Sequence, residues 1–345
     1  MPSSDLPGIP AFLRNVPALA DLQPEDVVAM TAKGVNHDHL RIARHRMVLR
    51  VPRAVPWISD AAAQLAGEAA AFRRAEPAAV TPRLVAQVPA SATLPRGALL
   101  VEEIAGRAPV LPADLPAIAT ALARLHALPV PPPEQRPPLP DHGEPGPVAA
   151  TLAFIRQQRP FLARLDLASA ARKALAEELA WAERYAADTP AAGQPLALVG
   201  TDTHPGNFII RADGSAVLVD LERVCYGSPA IDLAHATLYT STTWDIEVQA
   251  ELPRAEVEGF YRRYLAAAGD ARTAELRPWL LPARRLTWLR TMMWAARWRA
   301  LAEPDALSVE PVLRHHIARR LSDFFRPATI ERVRAEWLAE QPLRL

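Results

Sequence analysis

A single cysteine, Cys225, and two lysines, Lys33 and Lys173, are the scarcities of this 345-residue chain. One thiol makes neither an internal disulfide nor a cysteine-rich zinc site, so the chain suits a reducing compartment and is expected in the cytoplasm. No apolar run reaches the roughly 18 residues a membrane-spanning helix needs. The N-terminus, MPSSDLPGIPAFLRN, has no basic start followed by an apolar stretch, so no signal peptide is expected. Charge of neither sign dominates: 39 basic against 38 acidic residues leave a net +1, which removes the electrostatic case for a nucleic-acid or acidic-membrane partner. Positive charge is almost wholly arginine, beside 35 prolines and much alanine. A codon bias toward GC accounts for such usage, so arginine richness alone does not mark a phosphate site. Nothing in the composition sets an oligomeric state.

What is present falls into two halves. Prolines at 2, 7, 10 and 17 make residues 1–24 an irregular or partly helical arm. VVAMTA, HLRIAR and MVLRVP then read as three short strands in an antiparallel meander. Residues 59–76, SDAAAQLAGEAAAFRRAE, carry a Ser/Asp cap and strong helix formers, and RLVAQV and ALLVEEI add two more strands. Beyond Gly106 the period becomes helical, first over 111–128. The proline-rich 130–147 is an exposed connector, because proline removes donors and clashes with the preceding turn. Helices follow near 148–164 and 168–187. LALVG, FIIRADG and AVLVDL are short strands with Asp213-Gly214 as a hairpin turn, and from Ile231 the chain is helical.

The chemistry sits in LVGTDTHPGNFIIRADGSAVLVDLERVCYGSPAIDLAHA, residues 198–236. Asp202 and Asn207 share one loop, and Asp220 ends the hairpin that returns to it. Phosphoryl transfer from a nucleotide needs these parts: a carboxylate for the acceptor's hydroxyl proton, and oxygen ligands for magnesium beside the phosphates.

D-T-H-P-G-N-F resembles the catalytic loop H-G-D-x-H-x-x-N of the aminoglycoside phosphotransferase and choline kinase superfamily. V-D-L-E with Y-G-S-P-A-I-D-L-A resembles that family's metal-binding segment. The resemblance implies an α+β, protein-kinase-like two-lobe fold, with a small antiparallel β lobe over 1–103 and a larger helical lobe over 104–345. It implies ATP (or GTP) as co-substrate and Mg2+ as cofactor. Asp202 would be the catalytic base, Asn207 and Asp220 the metal ligands, Glu222 an outer-shell group and Asp232 a buried acid steadying the loop. Upstream, K-G-V-N-H is similar to the nucleotide-covering turn, which brings in Gly34 and Asn36. Arg50 stands where the family's phosphate-contacting basic residue lies, Glu68 matches the acid that pairs with it, and the backbones of Glu102 and Ile104 would meet the adenine edge. His126 reads as a packing histidine, and His204 fits the family's second loop histidine.

Gly200 departs from the pattern, standing where the family has histidine. The expectation is a looser loop, and the competing reading is a nucleotide-binding regulator without efficient transfer. Only twelve positions separate Asp220 from Asp232, too few for a peptide-docking activation segment. The acceptors the resemblance implies are amino alcohols or aminoglycoside-like compounds. Along 286–300, Trp294 and Trp298 share a helix face, well round from Trp288. They read either as a cation-holding wall or as packing, and Arg290, Arg297 and Arg299 on the same helix argue mildly against a cationic pocket. Thr240–Thr243 reads as a capped loop that could border the acceptor.

Overall fold

A computed structural model describes residues 8–31, 34, 36–53, 60–301 and 310–345. Lys33, the first seven residues of the arm and Ser59 at the expected helix start lie outside them.

After α1 (Gly8–Leu13), five strands make one antiparallel sheet: β1 (Val27–Ala29), β2 (His37–Ile42), β3 (Met47–Pro52), β4 (Leu84–Val88) and β5 (Ala98–Glu102). Their order is β1-β2-β3-β5-β4. The two-residue period of β2 and β3 sorts their side chains. Leu40, Ile42, Leu49 and Val51 face one way and join Ile9, Leu13, Leu19 and Leu22 in one apolar cluster. The arm is therefore a lid that closes the outer face of the sheet, a role its proline content hid. The opposite face carries His37, His39 and Arg50, with His39 directly across from Arg50. Over it lies α2 (Ala61–Ala75), whose N-terminus is capped by the Asp60 carboxylate accepting from the Ala63 N–H at 2.9 Å.

The rest is mainly helical: α3 (Leu115–His126), α4 (Pro147–Gln158), α5 (Ser169–Asp188), α6 (Pro229–Thr237), α7 (Tyr239–Thr242), α8 (Arg254–Ala268), α9 (Asp270–Ala300), α10 (Pro311–Phe324) and α11 (Pro327–Leu338). The helix expected over 148–164 stops at Gln158 and tightens into a 3-10 segment, Arg159–Arg164, where Pro160 cannot donate. Embedded among the helices are β6 (Ala197–Val199), β7 (Phe208–Ile210), β8 (Ala216–Leu218) and β9 (Cys225–Gly227). β7 and β8 form the expected hairpin, with Phe208 opposite Leu218. β9 pairs with β6, Leu198 opposite Tyr226, and its three residues are too few to show a period in the sequence.

The helical region is tied by buried ions as well as apolar packing. Glu178, with no exposed surface, accepts from Arg285 Nε at 2.6 Å and Arg334 Nε at 2.9 Å, linking α5, α9 and α11. Among the described residues, no helix is long and apolar enough to cross a membrane.

Candidate active site

Residues 200–207 join β6 to β7, and one buried acid sets their shape. Asp232, in the first turn of α6, accepts the Gly200 N–H at Oδ2 and the Thr201 N–H at Oδ1, both at 2.7 Å. Its carbonyl accepts the Thr203 hydroxyl at 2.8 Å. His126, at the end of α3, spans Asp232 Oδ2 at 3.0 Å and the Tyr264 hydroxyl at 2.9 Å, so it is a hydrogen-bonded packing residue. Gly200 is needed where it stands. A Cβ there would lie 2.7 Å from Thr203 Cγ2, on a side chain with no exposed surface. At the position of the missing histidine, the Gly200 N–H and the Thr201 N–H beside it are held by the one Asp232 carboxylate. Thr201 sits at φ 55°, a conformation that disfavours a β-branched residue. Its hydroxyl donates to Arg223 O at 2.9 Å and its carbonyl accepts from Arg290 Nη1 at 3.2 Å, contacts that hold it there. Gly206 likewise admits Asp245, whose Cγ would come within 2.5 Å of a Cβ.

This loop and the hairpin bring three predicted residues together. Asn207 donates its Nδ2 to Asp202 O at 2.8 Å, and its own carbonyl accepts the Val219 N–H at 2.9 Å, one residue before Asp220. Burial raises the Asp202 carboxyl above the usual range, against the opposing pull of His204 and Arg223. Burial would raise Asp220 too, but Arg50, His37 and His39 outweigh it and hold that carboxyl at about 2. With Asn207 anchored through its nitrogen and Asp220 through Oδ1, Asn207 Oδ1 and Asp220 Oδ2 accept from no donor among the described residues. Two hard oxygens, one of them firmly anionic, fit a magnesium ion that keeps several waters.

The sheet supplies cations to this site. Arg50, buried on β3, donates Nη2 to Asp220 Oδ1 at 2.8 Å and Nη1 to Val219 O at 3.1 Å. Its Nη1 also meets His39 Nε2 at 3.3 Å. Burial, then Arg50 and His37, push His39 down to about 3, leaving it neutral. Glu68 does not pair with Arg50 as expected. Its Oε2 lies 3.1 Å from His37 Nε2, and His37 Nδ1 lies 3.4 Å from Glu222 Oε2. The reason is competition: the end of β8 offers Arg50 a carboxylate and a carbonyl together, and His37 on the same sheet face is left to serve Glu68. Burial and Arg50 work against protonation of His37, but the carboxylates of Glu222 and Glu68 beside it prevail and raise it to about 9. Ligand atoms of His37, Glu68 and Glu222 lie within 4.8 Å of one another, but the imidazolium occupies that space as their counter-ion.

Of the remaining predicted residues, Asn36 donates to Glu222 Oε1 at 2.6 Å and so touches the catalytic segment. Among the described residues, nothing lies within 4 Å of where a Cβ on Gly34 would stand. The Glu102 N–H donates to Arg83 O at 2.9 Å and is committed to the sheet edge. Among the described residues, no backbone hydrogen bond engages Ile104.

A cavity of about 240 Å³ opens beside Asp202, bounded by the loop, Thr240, Ser241 and the α9 face. Trp294 and Trp298 line it from that shared face, with Trp244 edge-on to both at 5.2 and 6.2 Å. Trp288 points elsewhere, into the core beside Trp337.

The sequence from 34 to 279 matches the model of the phosphotransferase enzyme family APH. The chain belongs to this family. It is accordingly a small-molecule phosphotransferase with a kinase-like α+β fold. Choline kinase from Cryptosporidium parvum is similar over 96% of this chain and 98% of its own, at 12% identity and TM-score 0.57. Macrolide 2'-phosphotransferase MphH from Brachybacterium faecium is similar over 92% and 98%, at 16% identity and TM-score 0.57. Aminoglycoside 2'-phosphotransferase-IIIa, solved as its GDP complex, is similar over 92% and 97%, at 14% identity and TM-score 0.57. The comparison with curated protein sequences gives no match. At these identities the APH-family neighbours establish the fold and leave the substrate of this chain open.

Proposed function

We propose that this APH-family phosphotransferase moves the γ-phosphoryl group of ATP, with magnesium, onto a hydroxyl of a small metabolite. The observation that carries the reading is the linkage of three residues: Asn207 Nδ2 donates to the carbonyl of Asp202, which lines the cavity, and the Asn207 carbonyl takes the Val219 N–H beside Asp220. Asp202 holds the acceptor's hydroxyl. As the acceptor oxygen bonds to the γ-phosphorus, the bond to the β,γ-bridging oxygen breaks, its electron pair leaves with ADP, and the hydroxyl proton passes to Asp202. Magnesium, held by Asn207 and Asp220, would supply charge neutralisation on the phosphates. The protein's contribution is positioning and electrostatics, since a loose phosphoryl transition state asks for little covalent chemistry.

The nucleotide would lie between a β lobe over 1–103 and a helical lobe over 104–345, its adenine edge at the backbones of Glu102 and Ile104. Gly34 and Asn36 would cover the phosphates, Arg50 would steady them beside Asp220, and Glu68 would act through His37. The Glu102 carbonyl is the group for this task, because its N–H is already committed to Arg83. Binding of GDP by one structural neighbour makes GTP a second nucleotide to test. Tryptophan faces suit the cationic amine of an amino alcohol or aminoglycoside, and the arginines beside them do not.

Calorimetric titration with ATP, with and without magnesium, tests the site without a known acceptor. Wild type should bind in a magnesium-dependent manner, and Asp220→Ala should weaken binding at least tenfold. A folded wild type that takes neither ATP nor GTP would overturn the kinase reading.

A further inference from the structure

The cavity beside Asp202 holds one guanidinium that meets no carboxylate among the described residues. Arg223 and Arg290 line it together with two carboxylates, Asp202 and Glu222. Glu222 is already engaged by His37 at 3.4 Å, Arg223 at 3.4 Å and Asn36 at 2.6 Å. Asp202 is reserved for the reacting hydroxyl. His235, buried among Arg290 and His204, is driven well below its ordinary pKa and adds no charge.

Arg290 is the decisive group. It reaches the cavity from α9, its guanidinium 5.1 Å from the centre of the Phe154 ring. Nη1 alone is engaged, by Thr201 O at 3.2 Å and His235 Nε2 at 3.4 Å. Among the described residues no carboxylate lies within 4 Å of it, and Nε and Nη2 meet no protein acceptor. A guanidinium does not shed its proton, so a half-buried one without a counter-ion is costly until something anionic arrives. Nε and Nη2 form one edge of the planar fork, the edge that pairs side-on with the two oxygens of a carboxylate.

We propose that the acceptor is a hydroxy acid with an aromatic or apolar frame. Its carboxylate sits on Arg290, its frame lies along Trp294 and Trp298, and its hydroxyl is presented to Asp202. This rests on the kinase reading above and departs from the amino-alcohol acceptors that the family resemblance implied. Arg290 would disfavour a polycationic acceptor in the same space.

Three probes of one shape test it: para-hydroxymethylbenzoate, its amide, and para-hydroxymethylbenzylamine. Each is titrated calorimetrically into the full chain without nucleotide. The benzoate should bind at least tenfold more tightly than the amide, with the amine weakest. Arg290→Gln should bring benzoate and amide within about twofold of each other, whereas Arg290→Lys should keep much of the preference. The wild-type ranking needs no variant, so it stands even if Arg290→Gln fails to fold. Tightest binding of the amine, no binding of the benzoate at millimolar concentration, or a preference that survives Arg290→Gln would overturn the proposal. Mg-ATP titration of the same samples separates the two failures, since it reads the nucleotide site independently of acceptor charge.

Discussion

Replacing His37 with glutamine removes the one cation between two buried carboxylates, and the cost can be worked from the site. His37 and Glu68 side chains are 3% and 2% exposed, and Glu222 is 9% exposed. A rise from 6.5 to about 9 in the folded state, at 1.36 kcal/mol per pH unit, is worth about 3 kcal/mol. Because the folded value is the higher one, this stabilisation is complete below pH 6.5. It declines as pH rises between 6.5 and about 9, where the unfolded chain has already lost the proton that the folded chain keeps. Above about pH 9 it is gone. At about 2 °C per kcal/mol for a chain of this size, His37→Gln should melt about 6 °C below wild type at pH 6. The two melting curves, followed by circular dichroism, should converge above pH 9. A gap that is the same at both ends of that range would refute the ion-pair account of His37. It would then be acting through shape alone.

Asp202→Asn should lower acceptor-dependent ADP formation by about 10²–10⁴-fold while magnesium-dependent ATP binding persists; loss of both together would place Asp202 in the nucleotide site instead. Gly200→Ala should destabilise by about 1–3 kcal/mol in urea unfolding, because the new Cβ strikes Thr203, whose hydroxyl is fixed on Asp232 O. An unchanged midpoint would mean the loop yields freely. Glu178→Ala, which strands Arg285 and Arg334 without their shared carboxylate, should cost about 3–5 kcal/mol by the same measurement. Loss of less than 1 kcal/mol would show that water compensates those arginines.

Sequence reasoning reached furthest where function sits on consecutive residues. Asp202, Asn207, Asp220 and Asp232 lie within 31 positions, and their spacing alone announced a loop and a returning hairpin. Local pattern also located the sheet, the helix over residues 61–75 and the shared face of Trp294 and Trp298, because periods of 2 and 3.6 are properties of neighbours along the chain. Pairings between distant segments were another matter. Nothing in the arm said that Ile9 and Leu22 would seal the sheet. Nothing in GEAAAF said that Glu68 would meet His37 rather than Arg50, since that choice depends on which acceptors Asp220 and Val219 bring to Arg50 from 170 positions away.

The chain's order of residues by itself determined the class of chemistry, the loop proposed to perform it and most of the secondary structure that carries it. Only the tertiary structure decided that a Cβ at Gly200 would strike Thr203, and that Arg290 reaches the cavity with no carboxylate within 4 Å among the described residues. The reason is physical: propensity and spacing act through the next few residues, whereas packing and charge balance are settled by whichever groups the fold leaves within a few ångströms of each other.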